Sequence, residues 1–153
     1  MKTAKDIMTK DVVSVSVDMT VKEFADLLVK KNIGGAPVLD RDGRVVGVAS
    51  ESDLVVKDAR IHYPTYLHLL DGFIYWPGSV SKFNTEFKKA LGLTVGDIMN
   101  SEPFTALETA TIEDIATLIA DHEVGRIPIV DEADRLVGIV TTHDIIATIS
   151  KSD

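Results

Sequence analysis

Two stretches of the chain place apolar residues with the period of an amphipathic helix. The apolar positions recur at i, i+3, i+4, i+7 and i+8 in both: Val21, Phe24, Ala25, Leu28 and Val29, then Ile112, Ile115, Ala116, Ile119 and Ala120. This spacing predicts one buried stripe on each helix. A threonine with an acidic residue three positions later precedes both stripes, as in a capping box, and Gly34 and Gly125 follow as stop signals.

Each predicted helix is followed by two short apolar stretches with a polar turn between them. They span residues 36–39 and 45–49, then 127–130 and 136–140, and further extended stretches precede the helices at 12–17 and 103–107. These lengths and boundaries are typical of strands. Because the strands are mostly apolar, they indicate a sheet buried on both faces. With a short opening helix, the order is helix, strand, helix, strand, strand, helix, a mixed α and β unit with a small sheet.

The two halves are copies of one unit. Residues 3–56 align without a gap on residues 94–147, at an offset of 91, and 14 of the 54 aligned positions are identical. A unit of this length buries little apolar surface alone, so we expect the copies to pack face to face around one core. The predicted division is residues 1–56 for the first copy, 57–93 for an insert and 94–153 for the second copy.

Composition and charge exclude several classes of function. The chain has no cysteine, which excludes disulfides, thiolate nucleophiles and cysteine-ligated metals. Its four histidines show no metal-binding spacing, so we predict no metal site. The net charge of -8 argues against nucleic acid as a partner but leaves one small anion open. With no apolar leader and no run of 18 apolar residues, we expect a cytoplasmic protein without a membrane partner.

Several landmarks recur in both copies and together resemble a known family. They are Asp-Ile-Met near the start, Gly-x-x-Pro before a strand and Gly-x-x-(Ser/Thr)-x-x-Asp after the hairpin. In this order they resemble the CBS domain, named from cystathionine beta-synthase, which occurs in tandem as a Bateman module. The resemblance covers residues 3–56 and 94–150. It implies two pseudo-symmetric repeats in one compact module.

The resemblance also implies a function. An adenine nucleotide such as AMP, ADP, ATP or S-adenosylmethionine would bind as a regulatory ligand in the cleft between the copies, and a partner protein would detect the resulting shift in packing. Members of the family commonly form flat dimers through their helices, so we expect a homodimer. The sequence shows no convincing pair of nucleophile and base, and therefore we predict no enzyme. The alternative is an interaction or oligomerisation module without a physiological nucleotide.

The residues best suited to bind a ligand stand at the end of each hairpin. Ser50 with Asp53, and Thr141 with Asp144, stand where a strand meets a helix. Such a junction exposes backbone N–H groups that favour phosphate, and a carboxylate one turn later can accept both hydroxyls of a ribose. The family uses the two positions in these roles. The alternative is a capping box with a purely structural role.

Two further features are candidates for ligand contacts. The pairs Ala36-Pro37 and Ile127-Pro128 enter strands with a proline, and the resemblance places the adenine base there; alternatively each proline only starts an edge strand. Arg126 replaces Gly35 of the first copy. A guanidinium binds phosphate bidentately, so we expect the second pocket to favour phosphate-rich ligands. A surface arginine paired with Glu123 is the alternative.

The insert has no counterpart within the chain. It contains seven of the nine aromatic residues, and Phe83, Phe87 and Leu91 predict a helix in its second part. It could add a structural layer over the core. Alternatively, it forms a lid or a partner surface in which Tyr75 and Trp76 cover a ligand or bind another protein.

Overall fold

The computed structural model describes residues 1–56 and 93–152. In the first copy the elements are α1 (Ala4–Ile7), β1 (Val15–Ser16), α2 (Val21–Lys31), β2 (Gly35–Leu39), β3 (Val45–Ser50) and α3 (Glu51–Val56). In the second copy they are α4 (Val95–Ile98), β4 (Ala106–Leu107), α5 (Ile112–His122), β5 (Arg126–Val130), β6 (Leu136–Thr141) and α6 (Thr142–Ser150). The predicted element order is confirmed. The predictions for the insert lie outside the described residues.

Each copy forms a three-stranded sheet of the same topology. β2 pairs in parallel with β1 and antiparallel with β3, and β5 pairs in the same way with β4 and β6. The central strands are almost completely buried, whereas β3 and β6 alternate between buried and half-buried positions, so the prediction of burial on both faces holds for the central strands. The mixed α and β fold class is therefore confirmed. Within the described ranges, no helix is long and apolar enough to cross a membrane.

The two copies exchange their opening helices. Ala4 of α1 is fully buried with Ile115 and Ile127 of the second copy, whereas Val95 of α4 is buried with Phe24 and other residues of the first copy. Backbone hydrogen bonds also hold the exchanged ends, from Ala4 N to Ala110 O at 2.8 Å and from Val95 N to Met19 O at 2.8 Å. The expectation of a single core is wrong, because two apolar clusters form and each contains residues of both copies.

The Met of Asp-Ile-Met explains why a glycine recurs in each hairpin. The thioether of Met99 fills the space beside Gly47, and that of Met8 fills the space beside Gly138. Next to each contact the two copies form a short antiparallel bridge. Asn100 N donates to Val48 O at 2.9 Å in one, and Thr9 N donates to Ile139 O at 2.9 Å in the other. A side chain at either glycine would occupy the volume that the methionine needs. The two sequence landmarks are therefore halves of one contact between copies.

The extended stretches before the main helices are shorter than predicted. Only Val15–Ser16 and Ala106–Leu107 pair as strands. The preceding residues connect to opening helices that pack on the other copy, so they leave the sheet of their own copy. The helix ends also differ from prediction, since Asn32 and Glu123 adopt left-handed conformations with φ of 51° and 52° and provide the C-caps. The glycines at positions 34 and 125 lie beyond them.

Capping boxes begin five of the described helices, α1, α2, α4, α5 and α6, as the threonine spacing predicted. At the opening helices, the carboxylates of Asp6 and Asp97 accept from the backbone N of Thr3 and Thr94, both at 2.8 Å. These backbone bonds, followed by the threonine hydroxyls, lower the pKa of both carboxyls below their usual 3.8. The exchanged helices therefore start at hydrogen bonds that require ionised carboxylates.

Replacing Gly47 by alanine tests the contact between copies. The added Cβ would lie 2.9 Å from Asn100 O and would overlap the Met99 side chain. We expect a loss of about 1–3 kcal/mol in the free energy of unfolding, measured by urea denaturation. The control is Gly125→Ala, whose Cβ would meet no atom within 4 Å. The same loss in both variants would contradict a specific role for the Met99 contact.

The capping carboxylates make stability depend on acid pH. Because the folded pKa of Asp97 lies below its unfolded value, its contribution is present above 3.8 and disappears as the pH falls through the folded pKa. We therefore expect Asp97→Asn to lower the urea midpoint near neutral pH and to converge with the parent protein in acid. Asp26→Asn is the control, because the exposed side chain of Asp26 forms no hydrogen bond or ion pair with another described residue. A gap that persists in acid would contradict this interpretation.

Candidate functional site

Two cavities lie between the copies, and each draws its walls from both. The first has a volume of about 300 Å³ and is lined by residues 50–53 at the β3–α3 junction, by Asn100 and Phe104 after α4, and by residues 123–126. The second has a volume of about 320 Å³. Both lie at the lower end of the range of about 300–1,000 Å³ for small-molecule sites.

The second cavity repeats the plan of the first at the offset of the sequence repeat. Residues 32–35 stand in the place of residues 123–126, and Thr9 and Val13 stand in the places of Asn100 and Phe104. Thr141 occupies the position of Ser50. The segment after each opening helix thus lines a cavity that contains the strand-to-helix junction of the other copy. This arrangement follows directly from the exchange of the opening helices.

The second junction forms the complete predicted capping box, and the first shows the bonds from Ser50 to the Asp53 carboxylate. Asp53 Oδ2 accepts from Ser50 N at 2.9 Å and from Ser50 Oγ at 3.3 Å. Asp144 Oδ2 accepts from Thr141 N at 2.8 Å and from Thr141 Oγ1 at 3.0 Å. No described residue donates a hydrogen bond to Oδ1 of either aspartate. The cap therefore holds each carboxylate in place through one oxygen and leaves the other with acceptor capacity.

The backbone at these junctions is less free than the sequence suggested. Glu51 N donates to Gly34 O at 2.9 Å, and Thr142 N donates to Gly125 O at 3.1 Å. The N–H groups of Ser50 and Thr141 are bound to the capping aspartates. The neighbouring loop and the cap therefore already use these N–H groups, and a phosphate contact to the junction backbone stays a prediction. The Ser50 and Thr141 hydroxyls donate to the capping aspartates and must turn to reach an anion, and Arg126 is the charged donor among the described lining residues.

The two aspartates are not placed equally. Asp53 lines the first cavity together with Ser50, whereas Thr141 lines the second cavity and Asp144 is not among its lining residues. The structure therefore brings three of these four residues to a cavity wall.

The proline positions lie in the interior and not on a cavity wall. Ala36, Pro37, Ile127 and Pro128 are all buried, and none lines either cavity. The alternative in which each proline starts an edge strand is wrong, because both strands are central and the proline is the third residue. The parallel neighbour β1 pairs only with Val38 and Leu39, so it does not extend along β2 to Pro37.

Arg126 lines both cavities. Its guanidinium lies over the first copy's backbone, where a Cβ at Gly34 would come within 2.8 Å of Nη2 and one at Gly35 would collide with Nη1. Burial lowers the pKa of the guanidinium, while the nearby carboxylates of Glu51 and Asp53 oppose that shift.

The structure bears on the alternative of a surface arginine paired with Glu123. Across the described ranges no ion pair joins it to Glu123. Its side chain contributes to both cavities, so the preference of the second pocket for phosphate-rich ligands stays a prediction.

The charged residues among the described lining residues are acidic apart from this arginine. Glu51, Asp53 and Glu123 line the first cavity and Asp11 lines the second, while Arg126 is the one basic residue among the described lining residues of either. An anionic ligand therefore meets repulsion from the carboxylates and attraction from a single cation. Among the described residues, no group of three or more histidines and carboxylates is arranged to hold a metal ion.

Sequence reasoning missed the cavity residues that follow the opening helices. Asn100 and Phe104 line the first cavity, and the Phe104 ring stacks on His122 with centroids 3.7 Å apart and an interplanar angle of 11°. Nothing in the local pattern marks these positions as part of a site. The paired landmarks Asp-Ile-Met and Gly-x-x-(Ser/Thr) offered a signal, because they contact each other across the copies and carry the following loop to the junction.

The match to a family model follows the two copies. The CBS domain model matches residues 4–59 and 95–151. The chain is also 36% identical over 148 residues to the uncharacterized protein MJ1426 of Methanocaldococcus jannaschii, covering 93% of this chain and 88% of that protein.

Two plant proteins show the same likeness. The chain is 32% identical to the chloroplastic CBS domain-containing protein CBSX1 of Arabidopsis thaliana, over 94% of this chain and 62% of that protein's length. The crystal structure of CBSX2 in complex with AMP superposes with a TM-score of 0.75 at 26% identity, covering 99% of this chain and 98% of that one. These matches span both copies.

The capping role of Thr141 can be measured separately from any ligand. Thr141→Ala removes the hydroxyl that Asp144 N reaches at 3.3 Å. We expect a loss of about 1 kcal/mol in the free energy of unfolding, measured by urea denaturation. Thr141→Ser keeps the hydroxyl and should stay close to the parent protein. If Thr141→Ser lowers the free energy of unfolding as much as Thr141→Ala, the methyl group and not the cap stabilises this junction.

Proposed function

The chain belongs to the CBS domain family, and we propose that it is a regulatory module that binds an adenine nucleotide in the cavities between its copies. The candidate ligands are AMP, ADP, ATP and S-adenosylmethionine. The observation that carries the proposal is the repeated arrangement of a Ser/Thr hydroxyl at a cavity wall, held beside a capping aspartate. In each cavity the strand-to-helix junction comes from one copy and the loop after the opening helix comes from the other, so one ligand would contact both copies at once.

In the proposed complex the capping residues have a second role. Ser50 and Thr141 turn their hydroxyls from the capping aspartates to phosphate, and the free Oδ1 of Asp53 accepts from ribose hydroxyls in the first cavity. Asp144 has the same role for a ribose that reaches beyond the present wall of the second cavity. Because Oδ2 is bound to the cap, the carboxylate is already oriented before the ligand arrives. Less conformational freedom is then lost on binding. Arg126 supplies the positive charge that a phosphate requires among acidic neighbours.

The adenine contact stays a prediction. Ala36-Pro37 and Ile127-Pro128 are buried in the present arrangement, so a base could reach their backbone only after the cavities open further. Phe104 lines the first cavity and offers an aromatic surface to a base. The AMP complex of CBSX2 supports an adenine nucleotide as the ligand class, because that protein matches almost the whole chain.

Signalling would follow from the shared walls. A ligand that contacts both copies stabilises the relative packing it fits best, and a partner protein that prefers this packing detects the change. We propose no catalytic step. The proposal retains a cytoplasmic location and a homodimer, for which α6 offers apolar surface: Ile146 is 59% exposed and Ile149 is 67% exposed.

The same apolar surface favours a second candidate, an interaction module that binds no nucleotide. Val29 on α2 is also 79% exposed, so apolar surface is present on helices of both copies. In that case the helices would associate with a partner regardless of nucleotide. Single exposed apolar residues are common on protein surfaces, which makes this candidate the weaker one.

A ligand screen tests the proposal against this candidate. Thermal unfolding and calorimetry with AMP, ADP, ATP and S-adenosylmethionine should show binding by at least one, with GMP as the control for base selectivity. A ligand at 100 times its dissociation constant stabilises the fold by about 2.7 kcal/mol. If none of the adenine ligands shifts the melting temperature or gives heat at millimolar concentration, the interaction module is the better description.

The aspartates separate ligand binding from capping. We expect Asp53→Ala to weaken binding of the stabilising nucleotide by about 1–3 kcal/mol, because a ribose hydroxyl loses its acceptor. Asp97→Ala is the matched control, since Asp97 caps a helix with the same bonds but lines neither cavity. Calorimetry on both variants, with urea unfolding in parallel, gives affinity and stability. Equal affinity losses would mean that Asp53 acts through helix stability alone.

A further inference from the structure

Positions 35 and 126 correspond in the two copies and meet in space. The guanidinium of Arg126 fills the volume that a side chain at Gly35 would need. The backbone carbonyl of Ala49 closes the other side, 2.7 Å from the place of that Cβ. Because the volume admits only one large side chain, the site between the copies holds one arginine and not a symmetric pair.

This arginine is the positive charge available to both cavities. The described lining residues otherwise include Glu51, Asp53 and Glu123 on one side and Asp11 on the other. Without the guanidinium, the charged side chains that a phosphate meets among the described lining residues of either cavity are carboxylates. Like charges close together in a partly buried site repel strongly, so phosphate binding depends on where Arg126 is directed.

The guanidinium also has no ion-pair partner among the described residues. No carboxylate oxygen lies within ion-pair distance of it in the described part of the chain, although Glu51 and Asp53 interact with it electrostatically. Its planar donors can face only one phosphate in a bidentate geometry at a time. A partly buried cation without a close partner therefore forms a strong charge-assisted contact with the first phosphate that reaches it.

Building on the proposed nucleotide binding, we propose that the two cavities compete for Arg126. A phosphate-bearing ligand in one cavity takes the guanidinium and thereby weakens phosphate binding in the other. The coupling is therefore negative and depends on phosphate charge. An uncharged nucleoside makes no demand on Arg126, so it fills both cavities independently.

Calorimetry with AMP and with adenosine tests the coupling. A charge-assisted contact corresponds to a factor of between about 10 and about 100 in affinity. We expect AMP to bind one site tightly and a second site weaker by such a factor, while adenosine binds two sites of similar affinity. Two equal AMP sites would overturn the competition and leave the proposed function intact. The absence of binding by either ligand would overturn both.

Variants of Arg126 show whether this side chain causes the coupling. Arg126→Gln should bring the two AMP affinities together by weakening the tight site, with a smaller effect on adenosine. Arg126→Lys keeps one charge at the same place and should keep the sites unequal, which also covers the case of a poorly folded glutamine variant. Arg135→Gln is the control, because Arg135 lines neither cavity and pairs with Asp131 at 3.2 Å. Unequal AMP sites in Arg126→Gln would overturn the assignment.

Discussion

The exchange of opening helices is the contact on which the rest of this structure depends. Each copy completes its apolar cluster with a short helix from the other copy, and the methionine at the end of that helix packs on a glycine of the other copy's hairpin. A helix of one turn has no stability of its own in water. Neither opening helix nor either cluster is therefore complete without both copies.

The cavities are a consequence of this exchange. The chain that leaves each opening helix must return to its own sheet, and on the way it crosses the junction of the other copy. Ser50 and Thr141 are thus faced by loops that begin in the opposite repeat. The capping bonds that start the helices also orient the aspartates, so the structural and the ligand-binding interpretations of Asp53 describe two oxygens of one carboxylate. They do not exclude each other.

Much of the fold could be predicted because its signals are local. The apolar stripe through Phe24 and Leu28 defines α2, and the threonine caps define where the helices begin. The turn between β2 and β3 and the apolar runs beside it define the hairpin. Such features depend on residues within a few positions of one another. The C-caps were missed because Asn32 and Glu123 take the left-handed conformation that the nearby glycines were expected to provide.

The sequence by itself determined the repeat, the element order and the residues Ser50, Asp53, Thr141 and Asp144 at the junctions. It could not show that the copies exchange helices, because which of two similar apolar clusters a helix joins depends on distant packing. It also could not place Arg126, whose local neighbours suggested the second pocket alone. The tertiary structure placed that side chain between both cavities, where its guanidinium occupies the volume that Gly35 of the other copy leaves free. Local patterns reveal which groups a chain carries, whereas their distance across a repeat interface is a property of the packed molecule.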